Sequence, residues 1–277
     1  MKHLAHLGYR HYFPCAELAG LVQCYWHISH AAVAPGLPAE FLHPEGGSGL
    51  IFNFADPLQI NGQSYAQGCL LFGATVHTNE ISLAGRVDAI GVRFHPAAAY
   101  PFFQLPLSEL TEQIIDAESF TRDAGWQGCW DIAQATVAQR IVAIEQWLLQ
   151  RLRESAAVTN PLQAALCEIA RRTSASQNGS YAPLSGVTDI NEALSVGVRQ
   201  AERLFKQWLG LSPRQWLRIH RVEQTRLLLK DPSLALLTDA AYAAGYYDQA
   251  HCIHEFKQVV GLTPGQYRRR LAERQRL

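Results

Sequence analysis

The sequence predicts an α+β fold, in which a β-rich domain (barrel or sandwich) with trailing helices precedes an all-α domain of two helix-turn-helix units. Short apolar runs bounded by Gly, Pro, Asn and Asp fill the region from about residue 9 to 96. Helical spacing and an internal repeat fill the C-terminal part. At 277 residues and 48% hydrophobic composition, the chain is long enough for two cores.

Four apolar runs of the first half are predicted strands, at residues 21–26, 50–54, 69–72 and 89–94. Beyond residue 97 the spacing becomes helical, at 107–110 and then at 131–153. The N-terminal half is therefore expected to be β followed by α.

The boundary between the two domains is placed by a helix start at 159–161. This gives one domain at 1–158 and a second at 159–277. The stretch 173–185, rich in Ser, Gly, Asn and Pro, is then a loop inside the second domain; the opposite assignment makes it the linker.

The formal charge of the chain is zero, but it is unevenly distributed. Residues before Val158 hold 8 Lys and Arg against 14 Asp and Glu, and the rest hold 16 against 10. A basic half of this kind favours a polyanionic partner. The six scattered cysteines form no Cys-x-x-Cys pair and are expected to be reduced thiols of a cytoplasmic protein. With no long apolar run, no contact with a membrane is expected.

An internal repeat with an offset of 51 residues is the most informative feature of the sequence. The Gly-Leu-Ser-Pro at 210–213 matches the Gly-Leu-Thr-Pro at 261–264, and the Phe-Lys at 205–206 matches that at 256–257. Each copy, at about 187–212 and 238–263, has the pattern of a short helix, a tight turn, a second helix and a terminator. The sequence therefore predicts two helix-turn-helix units.

The second helix of each unit is the candidate DNA reader, because the major groove admits one α-helix and its side chains reach base edges and phosphates. We predict that one face is buried and the other is open. Inward positions are Ala201, Leu204, Phe205 and Trp208 in the first unit, and Ala250, Ile253, Phe256 and Val260 in the second. The candidate DNA-binding residues are Arg199, Gln200, Glu202, Arg203 and Lys206 of the first, and Gln249, His251, His254 and Lys257 of the second.

These motifs, over residues 161–271, resemble the AraC/XylS-type DNA-binding domain of bacterial transcriptional regulators. The resemblance implies that the second helices are recognition helices for double-stranded promoter DNA. Ser195 departs from the pattern, since this family usually has Gly there. RNA polymerase and a second copy of the chain are further partners that the resemblance leaves open.

The N-terminal half has a looser resemblance to an uncharacterised β-rich module found ahead of AraC-type domains. In regulators of this plan the first domain binds a small effector, dimerises, or both, so an effector of unknown identity is expected. Aromatic walls with few convergent polar groups are typical of such pockets. The candidate effector-binding residues are Trp26, His43, Glu45, Arg93 and His95.

Two alternatives to an effector-responsive regulator remain at this point. His43, Glu45 and His95 could form a cupin-like metal site, which would make the chain an enzyme fused to a DNA anchor. The helical half could instead be a protein-interaction adaptor. No nucleophile elbow, phosphate-binding loop or dinucleotide fingerprint occurs, so we expect no enzyme, no cofactor and no metal.

Overall fold

The computed structural model describes residues 8–34, 36–117, 129–130, 135–155, 162–167, 186–231 and 237–274. Within these residues the predicted α+β architecture is confirmed, since β-sheets precede a helical region. The predicted boundary near 158, the stretch 173–185 and the start of the helix predicted at 131–153 lie outside the described residues. Among the described helices, none is long and apolar enough to cross a membrane.

The first domain contains ten described strands, of which the second and the ninth are the longest. They are β1 (Arg10–Tyr12), β2 (Val22–Val33), β3 (Glu40–Leu42), β4 (Gly49–Asn53), β5 (Leu58–Ile60), β6 (Gln63–Tyr65), β7 (Gly68–Phe72), β8 (Asn79–Ser82), β9 (Gly85–Phe94) and β10 (Ile114–Asp116). All four predicted strands are present, as parts of β2, β4, β7 and β9.

Two antiparallel sheets result, and in the described residues they do not close into a barrel. The larger has the order β1-β2-β9-β4-β7-β10 and the smaller the order β3-β8-β5-β6. Strand β4 is buried on both faces, with Leu50 and Phe52 in one apolar cluster and Ile51 in another. A strand covered on both faces reads as a continuous apolar run, which explains why β4 stood out in the sequence.

Helices cover the outer face of the larger sheet. Helix α1 (Tyr100–Phe103) and a 3₁₀ turn (Leu107–Leu110) precede α2 (Val137–Glu154), which begins at a capping box made by Thr136 and Gln139. Helix α2 buries Ile144, Trp147 and Leu148 against Phe52 and its neighbours in the larger apolar cluster.

The C-terminal region contains six described helices with assigned bounds. They are α3 (Val187–Leu194), α4 (Val198–Leu209), α5 (Pro213–Leu228), α6 (Leu237–Ala243), α7 (Gln249–Val260) and α8 (Pro264–Arg274). Helices α4 and α7 both end at a left-handed glycine, Gly210 with φ 83° and Gly261 with φ 81°. Ser212 then caps α5 and Pro213 is its first residue, as the repeat predicts.

The buried face of α7 differs from the prediction. Ala250 is exposed and Ile253 is only half-buried, whereas Cys252 and Val259 join Phe256 and Val260 in the interior. The predicted stripe was rotated by one residue, because α7 packs on α5 and α6 along a line through 252, 256 and 259. In α4 the predicted face is correct, except that Leu204 is half-buried.

Candidate nucleic-acid interface and interdomain cavity

The first helix-turn-helix unit consists of α3, a short turn and α4. Its turn begins at Ser195, which has the left-handed φ of 54° that a glycine would adopt without strain. All five predicted DNA-binding residues of α4, Arg199, Gln200, Glu202, Arg203 and Lys206, are exposed on its open side. The structure therefore brings the predicted reading surface of the first unit together.

The second unit consists of α6, the turn at Gly245 and α7. The sequence places Gly245 where the tight turn needs a positive φ and Asp248 where it can cap the second helix. Gly245 has φ 85°, and the Asp248 side chain accepts a hydrogen bond from the His251 backbone N at 2.7 Å, so both expectations are confirmed. Gln249, His254 and Lys257 are exposed.

His251 differs from the other predicted reading residues because it is half-buried. Its Nε2 lies 3.3 Å from Glu255 Oε1, and the same carboxylate oxygen is 3.7 Å from Arg218 Nε on α5. The ring is thus engaged within the domain. Of the four predicted residues on α7, three are exposed. The fourth, His251, contacts Glu255 of the same helix, and Glu255 in turn lies near Arg218 on α5.

Helix α5 connects the cores of the two units. Trp216, Leu217 and Ile219 pack in the cluster of the first unit, and Val222 packs in the cluster of the second unit with Phe256. Because one continuous helix contributes to both cores, it limits how far apart the two units can lie.

The N-terminal domain contacts the C-terminal ends of both candidate recognition helices. Thr111 Oγ1 donates a hydrogen bond to the Gly210 carbonyl at 2.6 Å, at the end of α4. Thr78 donates from its backbone N and from Oγ1 to the Val259 carbonyl, both at 2.9 Å, near the end of α7. These otherwise orphaned helix carbonyls are satisfied by the other domain.

Two glycines permit close approach between the domains. A Cβ on Gly210 would lie 2.5 Å from the Leu107 carbonyl oxygen, and a Cβ on Gly46 would lie 2.8 Å from the Trp216 ring. Tyr100 and Trp208 pack beside the first contact, with ring centroids 4.4 Å apart. The loop at 45–48 is therefore pressed against α5.

A cavity of about 780 Å³ lies between the sheets and the helical domain. All five predicted effector-binding residues line it: Trp26, His43, Glu45, Arg93 and His95. Its second wall, which comes from α5 and α8, was not predicted from the sequence. That wall includes Trp216, His220, Glu223, Arg226, Tyr267 and Arg270.

The sheet side of the cavity combines a flat aromatic surface with an ion pair. Trp26 on β2 lies across Gly91 on β9, where a Cβ would be only 1.9 Å from the indole. Arg93 Nη1 lies 2.8 Å from Glu45 Oε2. Burial lowers the pKa of His95, which favours its neutral form.

The second wall contains two groups with displaced pKa values. Burial, and then Arg221, lower the pKa of His220 to about 4, so its imidazole is neutral at pH 7. Burial, and then the Glu45 carboxylate, raise the pKa of Glu223 to about 7, although Arg226 and other cations act in the opposite direction. Displaced pKa values in a cavity are typical of functional sites.

The cysteines and the candidate metal ligands have other contacts. All six cysteines lie in described segments and none is bonded to another. Burial raises the pKa of the Cys252 thiol to about 11, which disfavours the reactive thiolate. His43 Nδ1 lies 2.8 Å from Thr78 Oγ1, and Glu45 is paired with Arg93. Among the residues described, no group of three His, Cys, Asp or Glu is placed to hold a metal ion.

Comparison with known proteins identifies two families. Residues 10–116 match the family described as Domain of unknown function (DUF6597), and residues 190–270 match the family described as Helix-turn-helix domain. The chain is 28% identical over 83 residues to the melibiose operon regulatory protein of Escherichia coli (strain K12), a match that covers 30% of this chain and 27% of that protein. It is 36% identical over 67 residues to an uncharacterized HTH-type transcriptional regulator of Haemophilus influenzae, covering 24% and 22% of the two chains.

The matching segment thus spans about a quarter of the length of these curated relatives. Among solved structures, ToxT from Vibrio cholerae O395 aligns over 88% of this chain and 96% of its own, with 10% identity and a TM-score of 0.43. The match to the Helix-turn-helix domain family, at residues 190–270, covers the two units built from α3 to α8. The chain therefore carries a domain of the DUF6597 family at residues 10–116 and a helix-turn-helix domain of the AraC type at residues 190–270.

Proposed function

We propose that this protein is an effector-responsive transcriptional regulator that binds promoter DNA in two successive major grooves with α4 and α7. The observation that supports this most directly is the pair of capped helix-turn-helix units joined by α5. Each presents a polar helix face to solvent, including Arg203 and Lys206 on α4 and His254 and Lys257 on α7. Grooves about 34 Å apart can then be read by one chain.

In this proposal the first domain, at 1–158, senses an effector and the second domain, at 159–277, binds DNA. The interdomain cavity is the proposed effector site, with the five predicted residues on its sheet side. A ligand there would touch α5, which joins the two units, and so could shift the relative populations of their arrangements. A cytoplasmic location, with access to the chromosome, follows from this function.

The experiment that tests the DNA-binding function is a selection of bound fragments from random duplex DNA with the full-length protein. We expect an enriched motif with two half-sites about one helical turn apart. Arg203→Ala should relax the preference in one half-site only, at a cost of about 1 to 3 kcal/mol in discrimination, if it hydrogen-bonds a base. Its matched control is Arg153→Ala on α2, an exposed arginine of the first domain, which should leave the motif intact.

Two outcomes would contradict the proposal. No enriched motif would favour the adaptor alternative, in which the helical half holds a protein partner. If the enriched motif is the same for the wild type, Arg203→Ala and His254→Ala, then α4 and α7 are not the helices that recognise the base sequence.

The hydroxyls of Thr78 and Thr111 give a test of the coupling between the domains. Thr78→Val combined with Thr111→Val removes the side-chain donors to Val259 and Gly210 but keeps the side-chain shape. It also removes the contact between the Thr78 hydroxyl and His43 Nδ1. We expect a loss of about 0.5 to 1.5 kcal/mol of stability for each bond, measured by urea unfolding. We also expect the variant to tolerate half-site spacings that the wild type rejects, because the end of α4 loses its side-chain bond and the end of α7 keeps only the bond from the Thr78 backbone N.

Thr188→Val on α3 is the matched control, because Thr188 is exposed. It should change neither stability nor spacing preference. If the double variant keeps the wild-type spacing preference while losing stability, the contacts only stabilise the fold and do not set the geometry of the two helices.

A further inference from the structure

The open faces of the two candidate recognition helices match in position but differ in chemistry. Residues four and seven positions further along a helix lie on the same side as the first one. Each helix has an exposed row with this spacing, which starts at its second residue. The rows are Arg199, Arg203 and Lys206 on α4, and Ala250, His254 and Lys257 on α7. Ala250 therefore stands where the other unit has Arg199.

The exposure of Ala250 is a consequence of how α7 packs. The sequence predicts Ala250 in the core, but the buried line of the helix runs through Cys252 and Phe256, and this turns the Ala250 methyl group outward. The next residue, His251, is half-buried, and its Nε2 lies 3.3 Å from Glu255 Oε1. The open face of α7 thus begins with an apolar side chain.

The chemistry of this side chain restricts which base can lie opposite it. A methyl group neither donates nor accepts a hydrogen bond, and it would displace water from a polar base edge without replacing the lost hydrogen bond. The apolar group that base pairs present in the major groove is the C5 methyl of thymine. The N-terminal residues of a recognition helix are the ones that approach base edges. Thymine is therefore the favoured base opposite Ala250.

The small size of Ala250 also suits a close approach. A helix with its side chains is about 10 to 12 Å wide, and the major groove is about 12 Å wide. A short side chain in the first turn of the open face lets α7 lie deep enough for two methyl groups to meet within about 4 Å. Lys257, two turns further along the row, is exposed and can bind phosphate. On α4 the long side chain of Arg199 at the matching place suits guanine, which accepts two hydrogen bonds from arginine.

We infer that α7 recognises a thymine through contact between the Ala250 side chain and the C5 methyl group of that base. The two half-sites then differ in chemistry, because α4 presents Arg199 at the equivalent position. This inference rests on the proposed function, since it names a base that one of the two proposed recognition helices reads.

Deoxyuridine tests the contact because it lacks only the C5 methyl group of thymidine. The motif selected by the full-length protein is first divided between the helices, since His254→Ala should relax the α7 half-site and Arg203→Ala the α4 half-site. Each thymine of the α7 half-site is then replaced singly by deoxyuridine in labelled duplexes, and affinity is measured by fluorescence anisotropy. We expect one replacement to weaken binding about fourfold, which corresponds to one apolar carbon left uncovered.

Variants at position 250 show whether Ala250 is the partner of that methyl group. Ala250→Gly should bind the parent and the deoxyuridine duplex equally, because the protein methyl group is missing from both complexes. Ala250→Arg should select guanine instead of thymine at that position. Ala193→Gly, at an exposed alanine of α3, is the matched control and should keep the fourfold loss. Each comparison is a ratio of two affinities for one protein, so a change in protein stability does not imitate the effect.

Three results would overturn the inference. They are affinities within about 1.5-fold of the parent for every deoxyuridine duplex, an undiminished loss in Ala250→Gly, or thymine still selected by Ala250→Arg. An enriched motif combined with any of these would reject the thymine contact and leave the DNA-binding function standing. A selection without an enriched motif would reject both.

Discussion

Phe256→Ala is expected to unfold the second helix-turn-helix unit. Phe256 is fully buried, packs against Val222 of α5 and Val260, and has its ring centroid 5.5 Å from that of Tyr267. Truncating such a ring to a methyl group costs about 3 to 5 kcal/mol, through lost burial and the cavity that remains. Because whole domains are stable by only about 5 to 15 kcal/mol, this unit should melt first.

Urea unfolding followed by circular dichroism measures this effect, and DNA binding measured in parallel should be lost or reduced to one half-site. Gln258→Ala is the control, because Gln258 is an exposed neighbour on the same helix and its truncation should cost less than about 0.5 kcal/mol. If Phe256→Ala lowers the free energy of unfolding by only about 1 kcal/mol, Phe256 is not the centre of the core of this unit, and α7 does not pack on α5 as described.

The helix-turn-helix units could be predicted from the sequence because their signals are local. Gly210 and Gly261 end α4 and α7 because glycine adopts the left-handed conformation without strain. Ser212 caps the next helix with its side chain and Pro213 is the first residue of that helix. The face of α7 was harder to predict. Its apolar residues allow two adjacent stripes, and only packing against α5 and α6 selects the one through Cys252 rather than Ala250.

The cavity could be predicted only in part. Glu45 and Arg93 stand out as charges next to predicted strands, but Glu223 looks in the sequence like an ordinary solvated helix residue. Nothing local to His220 or Glu223 indicates that the loop at 45–48 will cover them. That contact joins Gly46 and Trp216, which are 170 positions apart, and it depends on the glycine that lets the backbone meet the Trp216 ring. The short strands β1, β3, β5, β6, β8 and β10 were missed for a related reason, since runs of three or four residues are too short to show a period.

Strong salt dependence of DNA binding is the second large effect we expect. The chain has no net charge, so attraction to DNA must come from a local surface rather than from the whole protein. Exposed cations occur on both units. They are Arg199, Arg203 and Lys206 on α4, Arg214 at the start of α5, Lys257 on α7, and Arg268 and Arg269 on α8. If about six of them neutralise phosphates, affinity should fall about a thousandfold between about 50 and about 200 mM salt, because the released counterions are then at higher concentration.

Titration of the selected DNA at several salt concentrations measures the slope of log affinity against log salt, which should be about −5. Lys206→Gln should make the slope shallower by about 0.9, which corresponds to the loss of one phosphate contact. Arg153→Gln removes an equally exposed charge from α2 in the first domain and should leave the slope unchanged, because a general change in net charge does not release counterions from DNA. A flat salt response in the wild type would mean that the exposed cations of α4 and α7 meet no phosphates. The adaptor alternative would then account better for a helical domain with two basic faces.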